Sequence, residues 1–277
     1  MDLKQWQRAL EDLTHFTKAL PVIPSGWTER AIAEEHLLQN SDAIASWTKA
    51  IEIDPSGTAK YLLRRGRFYM FMDELEKACQ DFRILFYEHD NIRGGFSVAE
   101  ISRLSDDVSM ASQVRDELLN KVVDQTTDEE KSWAVRTCFI SQASREQTER
   151  ALVWAKSMYQ NGFQTESTGL YEGFLLFRLG RYDEAMKRLS ELPEPPAMSA
   201  IAYPYFMAMT HWNLGHRTKA NEWLVKANAN SEAILASGKH VDWIIKNQIK
   251  TYREEATKLI NGAPVSEGSE SVAPKEK

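Results

Sequence analysis

Six histidines, two cysteines and 40 acidic side chains are the groups in this chain with the chemistry for catalysis or metal binding. The histidines are His15, His36, His89, His211, His216 and His240. No HExxH or CxxC spacing occurs, and such spacings are what gather ligands around one metal. His211 and His216 stand five apart and straddle an expected turn, so they read as ordinary, partly exposed histidines. Cys79 and Cys138 each fall within an apolar run of an expected helix. They read as buried, reduced thiols, because a disulfide framework uses more cysteines. The acids come as neighbours: Glu34-Glu35, Asp106-Asp107, Asp128-Glu129-Glu130 and Glu254-Glu255. On helices such pairs mark solvated faces or first turns, where they suit the helix dipole. A paired-acid hydrolase needs two carboxylates converging in one pocket, and adjacency in sequence gives no sign of that. A phosphate-binding glycine loop and a GxSxG elbow are both missing. The chain is therefore read as not an enzyme, with no catalytic residue, metal or cofactor.

The chain's 277 residues suffice for two domains or one extended array. Apolar residues make up 43% and aromatics 10%, enough to build a core. The formal charge is −6. Arg64, Arg65 and Arg67 form a basic cluster too short to offset it, so neither nucleic acid nor an anionic membrane is expected as partner. The opening MDLKQWQRAL lacks the apolar core of a signal peptide, and no apolar run reaches bilayer length. A cytoplasmic location follows as the default.

Positioning comes from a repeat. Ala9, Ala43, Ala78, Ala151, Ala185 and Ala220 are spaced by 34, 35, 73, 34 and 35 residues, each opening a similar phrase. A period of this length is that of helical hairpins laid side by side. The apolar spacing and the breakers predict helices over 3–20, 27–38, 43–53, 61–72 and 75–86. Pro21 and Pro24 are expected to end the first, and Asp54-Pro55-Ser56-Gly57 breaks the chain again. Gly94-Gly95 reads as a flexible break inside a less regular stretch, with helical segments at 98–104 and 108–123. The doubled spacing between Ala78 and Ala151 leaves room there for one degenerate hairpin. Further helices are expected at 130–141, 145–159, 167–178, 182–191, 199–213, 217–235 and 240–261, the prolines 193, 195 and 196 interrupting. The division is thus 1–89 (first hairpins), 90–130 (irregular), 131–237 (second hairpins), 238–261 (capping helix) and 262–277 (disordered tail).

Small residues should sit where the two helices of a hairpin cross. Ala31, Gly66, Gly173 and Ala208 supply one side and the spaced alanines the other. Trp47, Phe82, Leu189 and Leu224 follow the alanine by four, one turn along the same face. Gly180 and Gly215 stand in the turns RLGRYDEA and NLGHRTKA.

With these phrases the chain resembles the tetratricopeptide repeat family, most clearly in KAIEIDPSGTAKYLLRRG (49–66) and LFRLGRYDEAMKRL (176–189). The segment YFMAMTHWNLGHRTKANEWLVKAN (205–228), followed by a Trp-led helix ending REEATKLING (253–262), is also similar to the C-terminal repeat module of planctomycete bacterial proteins. In those proteins the module follows a Ser/Thr kinase domain or WD40 repeats. No GxGxxG, HRD or DFG is present, so kinase activity is not implied. Ala9 corresponds to the second helix of a hairpin whose first helix is missing. Either the opening helix is a cap or an upstream portion is encoded elsewhere.

The resemblance implies an all-α, right-handed superhelical solenoid acting as a scaffold or adaptor for a protein or peptide partner. Its first helices would line a concave groove. The groove positions are Lys60, Leu63, Arg67 and Met70, then Leu170, Phe174, Phe177, Tyr205, Met209 and Trp212. The second group is apolar and suits an amphipathic helix, unless the capping helix covers it. Lys60 and Arg64 match two positions of the family's carboxylate clamp, whereas Glu29 replaces its asparagine. Two other readings stay open: a regulatory segment of a kinase-linked bacterial signalling system, and an α-helical enzyme whose acids converge in a deep pocket.

Overall fold

The computed structural model describes residues 2–105, 107–123, 125–140, 143–163, 165–192, 201–237 and 243–262. Among these residues there is no β-strand, and helices joined by short turns make up the chain, the all-α class that the repeat predicts. Two compact units divide at Gln164/Thr165. Residues 263–277, the prolines 193, 195 and 196, Asp106 and His240 lie outside the described residues.

The first unit runs α1 (Leu3–Ala19), α2 (Pro24–His36), α3 (Asn40–Ile53), a 3-10 turn at Pro55–Gly57, α4 (Thr58–Phe71), α5 (Leu75–Glu88), α6 (Ile92–Leu104), α7 (Val108–Lys121), α8 (Asp128–Ile140) and α9 (Arg145–Gln160). Each helix packs on the next, and α6 also packs on α8. Two local expectations change here. Pro24 opens α2 instead of closing α1, since the first turn needs no proline N–H. Gly94-Gly95 lies inside α6, whose N-cap Asn91 accepts a hydrogen bond from the Gly94 N–H. A Cβ on Gly94 would come within 2.8 Å of Leu85 Cβ, and one on Gly95 within 2.6 Å of the Phe86 ring. These glycines serve close packing of α6 on α5, and residues 92–121 continue the hairpin pattern as α6 and α7.

The second unit holds α10 (Thr165–Arg178), α11 (Tyr182–Ser190), α12 (Ala202–Asn213), α13 (Arg217–Leu235) and α14 (Trp243–Asn261). Here α14 packs against both α12 and α13.

The crossings match the small-residue reading. Ala43, Ala78, Ala151, Ala185 and Ala220 are fully buried, while Ala9 is half-buried on α1. A Cβ on Gly66 would sit 2.9 Å from Phe82 Cε1, and one on Gly173 would sit 2.4 Å from Leu189 Cδ2. Real Cβ atoms do not approach so closely, so each glycine sets how near its two helices lie.

The hairpin turns share one backbone design. Leu38, Asp73, Gly180 and Gly215 have φ of 58°, 64°, 74° and 79°, and each precedes its alanine by five. In all four turns the N–H of the next residue reaches back to a carbonyl of the preceding helix: Gln39 to Glu34, Glu74 to Tyr69, Arg181 to Leu176 and His216 to His211. This is the Schellman closure, which needs a left-handed residue and costs little only for glycine. Leu38 holds that position although it is 70% exposed. Leu38→Gly is expected to stabilise the chain by about 1 kcal/mol, because relief of the left-handed strain exceeds the entropy cost of glycine. A denaturation midpoint at or below that of the parent would contradict this.

The same closure brings His211 and His216 together, with Nδ1 to Nδ1 at 3.3 Å. One ring must accept, so the contact cannot form with both imidazoles protonated. Burial, aided by the charges of His216 and Lys219, holds His211 below its usual value. The folded state therefore binds this proton less readily than the unfolded chain. The stabilisation is complete above the unfolded pKa of about 6.5 and is lost as pH falls from there through the lower folded value. Calorimetry of His211→Gln should show a smaller fall in Tm between neutral and mildly acidic pH than the parent shows. Equal falls would remove His211 from the acid response.

Candidate functional site

The apolar groove positions of the second unit turn out to be core. Leu170, Phe174 and Phe177 of α10 and Tyr205 and Met209 of α12 are buried, and Trp212 is half-buried under the Arg217 guanidinium, 3.6 Å from its ring. Phe174 stacks on Phe206 at 3.9 Å, and Phe177 meets the same ring edge-on at 5.3 Å. From α14, Tyr252 reaches Phe206 at 5.7 Å. Tyr205 Oη is within hydrogen-bond distance of Asn228 Oδ1 (3.0 Å) and Ser231 Oγ (3.1 Å), while Arg253 Nε of α14 donates to it at 3.4 Å. Ion pairs Arg178–Glu255 and Arg253–Glu232 fasten α14 at its rim. The stripe Ile249, Tyr252, Ala256 and Ile260 is buried by this docking. The capping helix thus packs on α12, one of the two helices whose aromatics the spacing marked out for a partner.

The first unit keeps its face. On α4, Met70 is buried, Leu63 is half-buried, and Lys60, Arg64 and Arg67 are exposed. The first helices of the next two hairpins add residues that the sequence reading did not single out. On α6, Arg93 and Phe96 stand three apart, as do Trp133 and Arg136 on α8, so each pair shares a helix face. The Arg93 guanidinium lies 4.9 Å from the Trp133 ring centroid. That of Arg136 lies 4.5 Å from Trp133 and 4.4 Å from Phe96. The two rings are 5.2 Å apart. Burial, followed by the charges of Arg67, Arg136 and Arg64, pulls the Arg93 guanidinium below its usual value, and Glu129 opposes this. Arg64 and Arg67 in turn act on Glu35 of α2, whose carboxyl is raised mainly by burial and which accepts a 2.6 Å hydrogen bond from Trp47 Nε1. Among the described residues, no ion pair engages Arg64, Arg67, Arg93 or Arg136.

Nucleophilic and acid–base chemistry find little support. Burial pushes the Cys138 thiol up to about 12 and also raises half-buried Cys79, so both stay protonated near neutral pH. A shallow pocket by α9 is lined by Val122, Val123, Gln125, Arg150, Val153 and Trp154. Its cation is committed to structure, since Arg150 Nη2 donates to the carbonyls of Leu119 (2.6 Å) and Val122 (2.7 Å). No group of three His, Cys, Asp or Glu converges among the described residues.

Because Phe174 is core, Phe174→Ala is expected to cost about 3–5 kcal/mol. A Tm within one or two degrees of the parent's would place that ring outside the core after all.

No family model matches the chain. Sperm-associated antigen 1 of mouse is 34% identical over 96 residues, which is 34% of this chain and 10% of that protein. The rat protein is 29% identical over 118 residues, 42% of this chain and 13% of its own length. The match thus spans about a tenth of these distant relatives. A tetratricopeptide repeat protein from Parabacteroides merdae superposes with a TM-score of 0.54 at 16% identity, covering 89% of this chain and 92% of that one. The C-terminal part of a TPR repeat-containing protein from Cytophaga hutchinsonii gives 0.50 at 10% identity, with 87% and 94% covered. Hairpins of matching length, the four repeated turns and these superpositions together give the chain the tetratricopeptide repeat fold.

Proposed function

We propose that this chain is a non-catalytic scaffold that binds a protein or peptide partner along the first helices of its N-terminal unit. The observation that carries this reading is the contrast between the two units. In the second, the apolar stripe of α14 packs on first helix α12. In the first, Leu63, Arg64 and Arg67 of α4, Arg93 of α6 and Trp133 and Arg136 of α8 keep solvent access on the equivalent face. Repeat hairpins of this fold are built as rows of helices, and a row whose outer face is not used for its own core is suited to receive an extended or helical segment. The fold neighbours are of the same kind, and no helix of the described residues is long and apolar enough to cross a membrane.

Site-specific photocrosslinking tests this reading. A benzophenone side chain at Leu63 should link to a partner in the source cells. The same group at Val153, exposed on second helix α9, should not. Equal labelling from both positions, or labelling from Val153 alone, would move the binding surface elsewhere.

A further inference from the structure

The face left open in the first unit carries a charge opposite to that of the whole molecule. The chain has a formal charge of −6, yet Arg67 and Arg64 of α4 and Arg136 of α8 all act on Arg93 of α6, with Lys60 one turn before Arg64 on the same helix. Two acids that act with them are Glu35, half-buried and already hydrogen-bonded to Trp47, and Glu129, one turn before Trp133. Like charges repel, and gathering them costs stability unless something offsets it. Elsewhere several arginines are ion-paired, among them Arg65 with Asp81, Arg188 with Glu172, Arg178 with Glu255 and Arg253 with Glu232. Among the described residues, none of the four at this face is.

How the arginines are held points to their use. The central carbon of the Arg93 guanidinium lies over the Trp133 ring, and that of Arg136 lies over both Trp133 and Phe96. Cation–π contact restrains the side chain, and a guanidinium carries five N–H donors suited to oxyanions. A guanidinium fixed in advance loses less entropy on binding a carboxylate, and the paired N–H geometry matches its two oxygens.

We infer that this face recognises an acidic segment of a partner protein, Arg67, Arg93 and Arg136 donating hydrogen bonds to its side-chain carboxylates beside the Trp133–Phe96 pair. The inference rests on the scaffold reading above and adds the chemistry of the ligand. A polynucleotide also presents oxyanions, but it carries charge well beyond this patch, where the net −6 chain repels it. A short acidic segment confines its charge to the patch.

The full chain, immobilised, can be panned against a random peptide library. Enriched peptides should be rich in Glu and Asp. A synthetic copy of an enriched peptide should bind at least about tenfold more weakly to the double variant Arg67→Glu with Arg136→Glu, and should weaken with salt. Arg83→Glu, exposed on second helix α5, should bind like the parent. Circular dichroism and Tm of each variant establish that the fold persists. Should the double variant unfold, Arg67→Gln alone, at an exposed and unpaired position, carries the same test with a smaller loss. Enrichment of neutral or apolar peptides that ignore both substitutions would overturn the acidic ligand and leave the scaffold standing. Failure to enrich any peptide would remove both. Displacement of the acidic peptide by single-stranded oligouridine at equal concentration would assign the face to nucleic acid and overturn the inference.

Discussion

The close approach of two helices within each hairpin is the constraint on which the other features depend. Gly66 faces Phe82 and Gly173 faces Leu189 with no room for a Cβ, and buried Ala31 lies in one cluster with Trp47, Ala50 and Tyr61. Once the axes are this near, the residue before the small one is forced beside the residue three after the spaced alanine. In the α4–α5 hairpin these are Arg65 and Asp81, joined by two hydrogen bonds of 2.9 and 2.7 Å. In α10–α11 the same positions hold Glu172 and Arg188, 2.7 Å apart, with the charges exchanged. In α2–α3 the position three after Ala43 is Ser46, which donates at 2.7 Å to buried Glu34, itself paired with Arg30. The geometry is kept and the chemistry varies. Buried pairs of this kind add little net stability over apolar packing, but loss of one partner leaves an uncompensated charge, so they oppose a slipped register.

The same packing logic separates the two units. A first-helix face left apolar requires a cover, and α14 provides one through Ile249, Tyr252, Ala256 and Ile260. Removal of that area from water favours docking at about 25 cal/mol per Å², and the rim ion pairs orient the helix more than they strengthen it. A first-helix face made of arginines over aromatics has no such need. Its rings are screened by guanidiniums, and Arg64 and Arg67 stay exposed to water. A covered apolar face and an open cationic face are thus alternative solutions at the same place in the repeat.

The repeat, the helix class and the crossings were legible in the sequence because they are local or strictly periodic. Alanines near 35-residue spacing, glycines one hairpin apart and turn phrases around Gly180 and Gly215 all report short-range sterics. Leu38 and Asp73 hold the same left-handed turn position without glycine, and composition gives no sign of that. Gly94-Gly95 misleads in the opposite sense. Glycine pairs usually mark breaks, yet here the missing side chains admit Leu85 and Phe86, a demand made by the neighbouring helix.

The candidate site was partly legible. Leu63, Arg67 and Met70 lie on one regular hairpin, and the period alone finds them. Arg93, Trp133 and Arg136 lie between Ala78 and Ala151, where none of the spaced alanine phrases marks a hairpin. Only the packing of α6 on α8 brings them together. Likewise an aromatic stripe at helical spacing fixes which face of a helix is apolar, since side-chain direction follows from the backbone. It says nothing about what lies against that face. That Phe206 and Tyr205 meet Tyr252 and Arg253 of α14, residues distant in the chain, was decided by tertiary packing alone, because burial depends on whichever surface fits and not on sequence distance.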